Sequence, residues 1–263
     1  MNTFLLLMLL VCLLYGLACG LQARNIFAPY PYSRWGIIFL GSIAALLHGW
    51  LLHCWIDLPQ GQNLSATNLL SMMIWLAALL TLLSNLRMPV MNLILFIYPL
   101  AIVSILAMLI IPGNNIVQAG HNPKALTHIF LSIVTTSMLC IAAVQAVFLA
   151  IQEKALRKRQ TGIMRLLPPL QTMEVFLFQT IALGFILLTT VIATSFIFFH
   201  HLFVPGFVDK AIFTSLSWLI FGLLLIGRYL AGWRGKIAIR GTLIGFLCLL
   251  LTYLGAEIFT VII

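Results

Sequence analysis

About eight apolar runs, each near the twenty residues a helix needs to cross a bilayer, follow one another through the chain with only short polar breaks between them. No soluble fold can hide runs of that length in that number, because a folded protein in water keeps much of its apolar area exposed whatever its topology. The 263 residues are 63% hydrophobic and only 7% charged, against roughly 25% charged in a soluble domain. A bilayer removes the conflict by replacing the water. Within it only helices and closed barrels satisfy the backbone, and these runs lack the in-out alternation of barrel strands. The expected fold is therefore all-α: a polytopic membrane helix bundle forming one integral-membrane domain over residues 1–263.

The spans are expected near 3–20, 35–56, 67–85, 90–111, 126–151, 174–199, 211–230 and 239–261. Prolines and polar clusters punctuate them: Pro29 and Pro31, Asp57-Leu-Pro-Gln-Gly61, Arg87-Met-Pro89, Pro112-Gly113-Asn114-Asn115, and Pro168-Pro169. Met1 to Gly20 has no basic residue ahead of its apolar run and no small-residue cleavage pattern, so it reads as a first span and not a signal peptide. Cys12, Cys19, Cys54, Cys140 and Cys248 are scattered over apolar runs without a C-x-x-C pair, as small buried hydrophobes would be.

The formal charge of +9 does not point to nucleic acid, because the cations sit in the short breaks between spans. Arg24, Arg34, Arg87, Lys154, Arg157, Lys158, Arg159, Arg165, Arg228, Arg234, Lys236 and Arg240 fall in alternate breaks, and only Lys124 and Lys210 fall in the others. The positive-inside rule puts the first group in the cytoplasm and both termini outside. The segment Lys154, Arg157, Lys158, Arg159 is expected to prolong the fifth helix beyond the membrane and to rest against anionic lipid.

That topology gathers all six histidines at or towards the outer face. His48 and His53 occupy the outer half of span two, His121 an outer loop, His128 the first turn of span five, and His200 and His201 the outer end of span six. One reading is plain interfacial histidines, with a ring body in the apolar region and a polar tip in water. The other is ligation, since imidazole is a standard axial ligand of haem iron. Two axial ligands approach a flat macrocycle from opposite faces, which suits His48 and His128, on different spans at similar depth, with His200 and His201 in reserve. His53, about 140° around the helix from His48, does not share its ligand, whereas Trp55 shares the His48 face. Zinc spacing, a P-loop, G-x-G-x-x-G and G-x-S-x-G are all missing, so the expectation is a binding protein and not an enzyme.

Three stretches carry a resemblance. They are Thr127-His-Ile-Phe-Leu-Ser-Ile leading to Phe148-Leu-Ala-Ile-Gln-Glu-Lys-Ala-Leu156, then Leu167-Pro-Pro-Leu-Gln-Thr-Met-Glu174. The third runs from Asp209-Lys-Ala-Ile-Phe-Thr-Ser-Leu-Ser-Trp218 through Gly227-Arg-Tyr229 to Gly232-Trp-Arg-Gly235. In order and spacing the chain resembles the cytochrome c assembly family of membrane proteins, the CcsA/CcmC/HemX-like group. The resemblance implies a multi-pass protein of the bacterial inner membrane, haem as cofactor, and other cytochrome c assembly or membrane-complex subunits as partners. It implies that His128 matches an outward family histidine, that His48 corresponds to one within a span, and that His200 or His201 takes the second outward role. The family's tryptophan-rich W-W-D segment is absent, which implies an accessory role in haem binding or delivery, as in HemX-like members, and not a self-sufficient haem ligase. Two rivals remain: a transporter or ion-transport accessory, for which Gln145, Gln179, His48 and Glu257 are the interior polar groups, and an assembly partner that binds no haem.

Overall fold

The computed structural model describes residues 2–27, 33–87, 90–117, 123–158, 168–198 and 208–262. Within them lie eight long helices: α1 (Asn2–Phe27), α2 (Arg34–Ile56), α3 (Ala66–Arg87), α4 (Ile94–Ile110), α5 (Pro123–Arg157), α6 (Leu170–Phe198), α7 (Val208–Ala231) and α8 (Lys236–Ile262). Seven of them, α1 to α7, are long and apolar enough to cross a membrane among the described residues. The 27 residues of α8 span about 40 Å at 1.5 Å per residue, more than the hydrocarbon thickness. The protein is thus an all-α, multi-pass membrane bundle.

The chain divides into two compact units, Met1–Asn122 and Pro123–Ile263. In the first, α1 packs on α2 and α4, and α3 packs on α4 and α2. Because the helices are apolar all round, side-chain size and shape select the inner face. On α1, Met8, Val11, Tyr15 and Ala18 are buried, while Leu6, Leu9 and Leu13 point outward. On α2 the buried stripe is Gly41, Ala44, Ala45, His48 and Leu51, of which the small Gly41, Ala44 and Ala45 let helices approach closely. At Gly41 the space a Cβ would need is already taken by the Tyr98 ring and hydroxyl from α4. A short 3-10 turn, Met91–Leu93, leads into α4, so the fourth span begins near residue 90 as the sequence suggests.

The connections between α2 and α3 and between α4 and α5 meet in a small antiparallel sheet. Its strands are β1 (Asp57–Leu58), β2 (Gly61–Asn63) and β3 (Ile116–Val117), in the order β1-β2-β3. Asp57 is opposite Gln62, and Asn63 is opposite Ile116. Gly61, at φ +138, turns the chain where a side chain would run into the Val117 carbonyl. Asn63 locks the arrangement. Its amide donates to the Gly113 carbonyl at 3.0 Å, its side-chain oxygen accepts from the Asn115 amide at 3.1 Å, and its carbonyl accepts from Asn68 Nδ2 at 2.9 Å. The sequence reading has only loops here.

In the second unit α5 packs on α6 and α8, and α7 packs on α8 and α6. The most hydrophobic window of α5 is 78% buried, against 22% for α6 and α7, so α5 is the axis of this unit. Its polar residues are silenced locally. The hydroxyls of Thr135, Thr136 and Ser137 donate to the carbonyls of Leu131, Ser132 and Ile133 at 2.7–2.8 Å, the usual remedy for a hydroxyl in lipid. α5 runs on to Arg157, as expected for a helix leaving the membrane. α6 starts at Leu170, four residues before the expected Glu174, because Pro168-Pro169 can open a helix directly: the Met173 amide donates to the Pro169 carbonyl at 3.1 Å. All five cysteines are free thiols, with Cys140 and Cys248 buried.

Replacing Asn63 by Ala strips the Gly113 carbonyl and the Asn115 amide of their partners, at a cost of about 1–3 kcal/mol. Hydrogen–deuterium exchange on the Asn63→Ala variant should show faster exchange at 113–117 with α4 unchanged. Unchanged protection at 113–117 would mean that the strands alone hold the sheet.

Candidate functional site

His48 lies on the buried stripe of α2 and is completely shielded from solvent. Both ring nitrogens are engaged. Nδ1 is 3.4 Å from the Tyr15 hydroxyl of α1, and Nε2 is 3.0 Å from the Ser71 hydroxyl of α3. Ser104 of α4 extends the chain: its hydroxyl donates to the Ala101 carbonyl at 2.9 Å, and its oxygen lies 3.3 Å from the Ser71 hydroxyl. Tyr15 meets His48 edge-on at 5.8 Å between ring centroids and leans on Tyr98 at 4.9 Å. The imidazole thus joins α2 to α1 and α3, and Tyr98 and Ser104 bring α4 to the same cluster through Tyr15 and Ser71. Neutral imidazole has one N–H and one lone pair, and here both are matched whichever tautomer is chosen. No nitrogen is left for iron unless the ring gives up Tyr15 or Ser71.

His53, one and a half turns further along α2, is exposed. Its Nδ1 is 2.7 Å from an Asp57 carboxylate oxygen, and its ring lies 5.7 Å from that of Trp50. The angular separation expected between His48 and His53 is thus realised as one buried and one exposed ring. Trp55, on the His48 face, packs against Leu52, Ile56 and Met108.

His128 sits in the second turn of α5, half-buried, a turn deeper than the expected first turn because the helix opens at Pro123. Its Nδ1 is 3.0 Å from the Thr194 hydroxyl of α6. That hydroxyl has a single hydrogen and donates it to the Val191 carbonyl at 2.8 Å. Thr194 oxygen is then the acceptor and His128 Nδ1 the donor, which places the ring's lone pair on Nε2. A hydrogen bond at one ring nitrogen that fixes the tautomer is the device by which proteins orient a metal-binding histidine. Thr194 has no motif around it, so only the folded pairing of α5 with α6 reveals it.

His200 and His201, like His121 and Arg159, lie outside the described residues. Lys154 and Arg157 are exposed on the last turns of α5, and Lys158 follows them, its amide donating to the Lys154 carbonyl at 3.1 Å. Among the described residues no group of three His, Cys, Asp or Glu side chains stands together as a metal site. Two interior side chains spend a hydrogen on backbone of a neighbouring helix: Gln145 donates to the Met173 carbonyl at 3.3 Å and Ser217 to that of Gly245 at 2.9 Å. Trp218 spends its indole N–H on Thr189 at 2.9 Å and stacks on Phe185. Glu174, buried in α6, accepts from the Gly235 amide at 3.2 Å and so fastens the turn between α7 and α8.

Fold and polar sites together describe a multi-pass membrane protein whose histidines divide between a structural clasp in the interior and oriented rings nearer helix ends. The chain belongs to the cytochrome c assembly protein family, whose sequence profile matches residues 32–263, and this membership gives it a role in cytochrome c biogenesis. It is 28% identical to "Inner membrane protein YpjD" of Escherichia coli strain K12 over 253 residues, 95% of this chain and 96% of that protein. It is also 30% identical over 138 residues to an "Uncharacterized 28.8 kDa protein in nifR3-like 5'region" of Azospirillum brasilense, covering 51% of this chain and 50% of that one. No solved structure matches.

The His48 clasp has a measurable consequence. His48→Ala leaves a void and strands Tyr15 and Ser71, costing about 2–5 kcal/mol, whereas His53→Ala at the surface costs no more than about 0.5 kcal/mol. Thermal unfolding of the two variants in detergent should show a large fall in Tm for the first and almost none for the second; equal falls would remove the clasp from the account.

Proposed function

We propose that this chain is a haem-handling protein of a bacterial inner membrane that assists cytochrome c biogenesis by ligation and not by covalent chemistry, with His128 as an axial ligand. The observation that carries the proposal is the fixed tautomer of His128: the Thr194 hydroxyl, already donating to Val191, makes Nδ1 the donor and Nε2 the basic nitrogen of the ring. Haem, when bound, supplies a Lewis-acidic, redox-active iron; the chain's part is to present an oriented lone pair to it. Thr194 does the orienting, and α5 and α6, firmly packed together, keep the two residues in register.

His48 does not fit the same role in this arrangement. A bis-histidine site that used it would forfeit a hydrogen bond inside a buried network. The second axial position therefore goes to His200 or His201, which follow Thr194 closely on the chain. The distribution of Lys and Arg supports an orientation with the charged breaks in the cytoplasm and both termini outside, so that His128 belongs to the outer face. The partners are membrane lipid and other cytochrome c assembly subunits.

The test is the ultraviolet-visible spectrum of detergent-purified protein before and after addition of haemin. Wild type should show a Soret band, with sharp α and β bands on reduction. His128→Ala should lose it, and Thr194→Val should weaken haemin binding about tenfold. His48→Ala, assayed below its own melting temperature, should keep the band. Wild type that takes up no haemin, or His128→Ala that binds it as wild type does, would overturn the proposal and leave the non-binding assembly partner.

A further inference from the structure

At the end of the second unit where α5 terminates and α8 begins, four cations converge on one open groove of about 300 Å³. Lys154 and Arg157 stand three residues apart on α5, and Lys236 and Arg240 four apart on α8, so each pair shares a helix face. The two helices pack against each other, and both faces line the groove. All four side chains are exposed, and among the described residues none makes a hydrogen bond or ion pair. Like charges at these helical spacings repel, and Lys236 is the first residue of α8, at the positive end of its dipole, where a cation is disfavoured. The lone carboxylate in the groove, Glu153, lies against Gly235 in the α7–α8 turn. The cluster is thus short of negative charge.

The geometry points to a binding site for a phosphate-bearing anion, and we assign it to the headgroup of an anionic membrane lipid. Two features favour a lipid over free phosphate. Ala150 and the buried Ile239 supply an apolar wall beside the cations, which suits the glycerol and first methylenes of a lipid. The groove also lies at the end of a 35-residue helix that, at about 50 Å, outruns the roughly 30 Å hydrocarbon layer, so its last turns stand at headgroup depth. Basic pockets between membrane helices hold such headgroups. The sequence alone offers the α5 cations as a general lipid anchor; the fold adds Lys236 and Arg240, about eighty residues away on the chain, and turns the anchor into a defined site. This site is independent of His128 and of haem.

Native mass spectrometry of the full-length protein in detergent tests the assignment, with dioleoylphosphatidylglycerol and dioleoylphosphatidylcholine as probes and inorganic phosphate as competitor. Wild type should prefer the phosphatidylglycerol. The pair Arg157→Gln and Arg240→Gln should weaken that binding about tenfold or more, while the equally charge-depleted pair Arg34→Gln and Lys124→Gln should change it less than about twofold. Glu153→Gln should strengthen it, an outcome that loss of folding cannot imitate. Equal binding of the two lipids, equal weakening in both double variants, or displacement of the lipid by millimolar phosphate would overturn the assignment.

Discussion

A bilayer offers backbone amides no water, and each unpaired polar group there costs several kcal/mol. That constraint makes the chain helical, and it governs the side chains as well. Many interior hydroxyls and amides bond within their own helix, as Thr135, Thr136 and Ser137 do, or reach a carbonyl next door, as Gln145 and Ser217 do; Ser71 and Tyr15 pair with His48 instead, and the buried Thr81 and Tyr98 hydroxyls have no hydrogen-bond partner among the described residues. The described Lys and Arg side chains gather near helix ends, because only there do water and headgroups solvate them.

Against that background two histidines on equivalent-looking helices have opposite roles. His48 is completely shielded and paired at both nitrogens, so its chemistry is exhausted in holding α1, α2 and α3 together. His128 is half-buried, and its Nδ1 partner hydroxyl already donates elsewhere, so the ring's lone pair is directed to Nε2. The difference lies in how the tautomer is set: either nitrogen of His48 can donate to its hydroxyl partner, whereas the Thr194 hydroxyl, bound to its own helix backbone, can only accept from His128. Haem ligation at a single oriented histidine, completed by His200 or His201, fits an accessory role in cytochrome c biogenesis better than a pair that dismantles the clasp.

The helices were legible because lipid imposes a simple length rule and prolines mark the breaks: Pro168-Pro169 opens α6, and the basic tail of α5 continues as helix to Arg157. The three-stranded sheet was not, because strands of two or three residues carry no periodicity and their pairing joins segments some fifty residues apart. Burial of His48 agrees with its place on a small-residue stripe, but its saturation by Tyr15 and Ser71 depends on two other helices and leaves no local mark. Thr194 and the pairing of Lys236 and Arg240 with the end of α5 were hidden for the same reason. What sequence pattern conveys is which residues share one helix face; which faces meet is a property of packing.

The central claim, that His128 presents Nε2 to a metalloporphyrin while His48 remains a structural clasp, is tested most directly by ¹⁵N nuclear magnetic resonance of protein labelled at its histidine rings, in lipid, titrated with diamagnetic gallium protoporphyrin. Resonances are assigned by the His48→Gln and His128→Gln variants. The account predicts that the His128 Nε2 signal shifts on titration and that both His48 signals stay in place. A shift at His48 with His128 unmoved would contradict it.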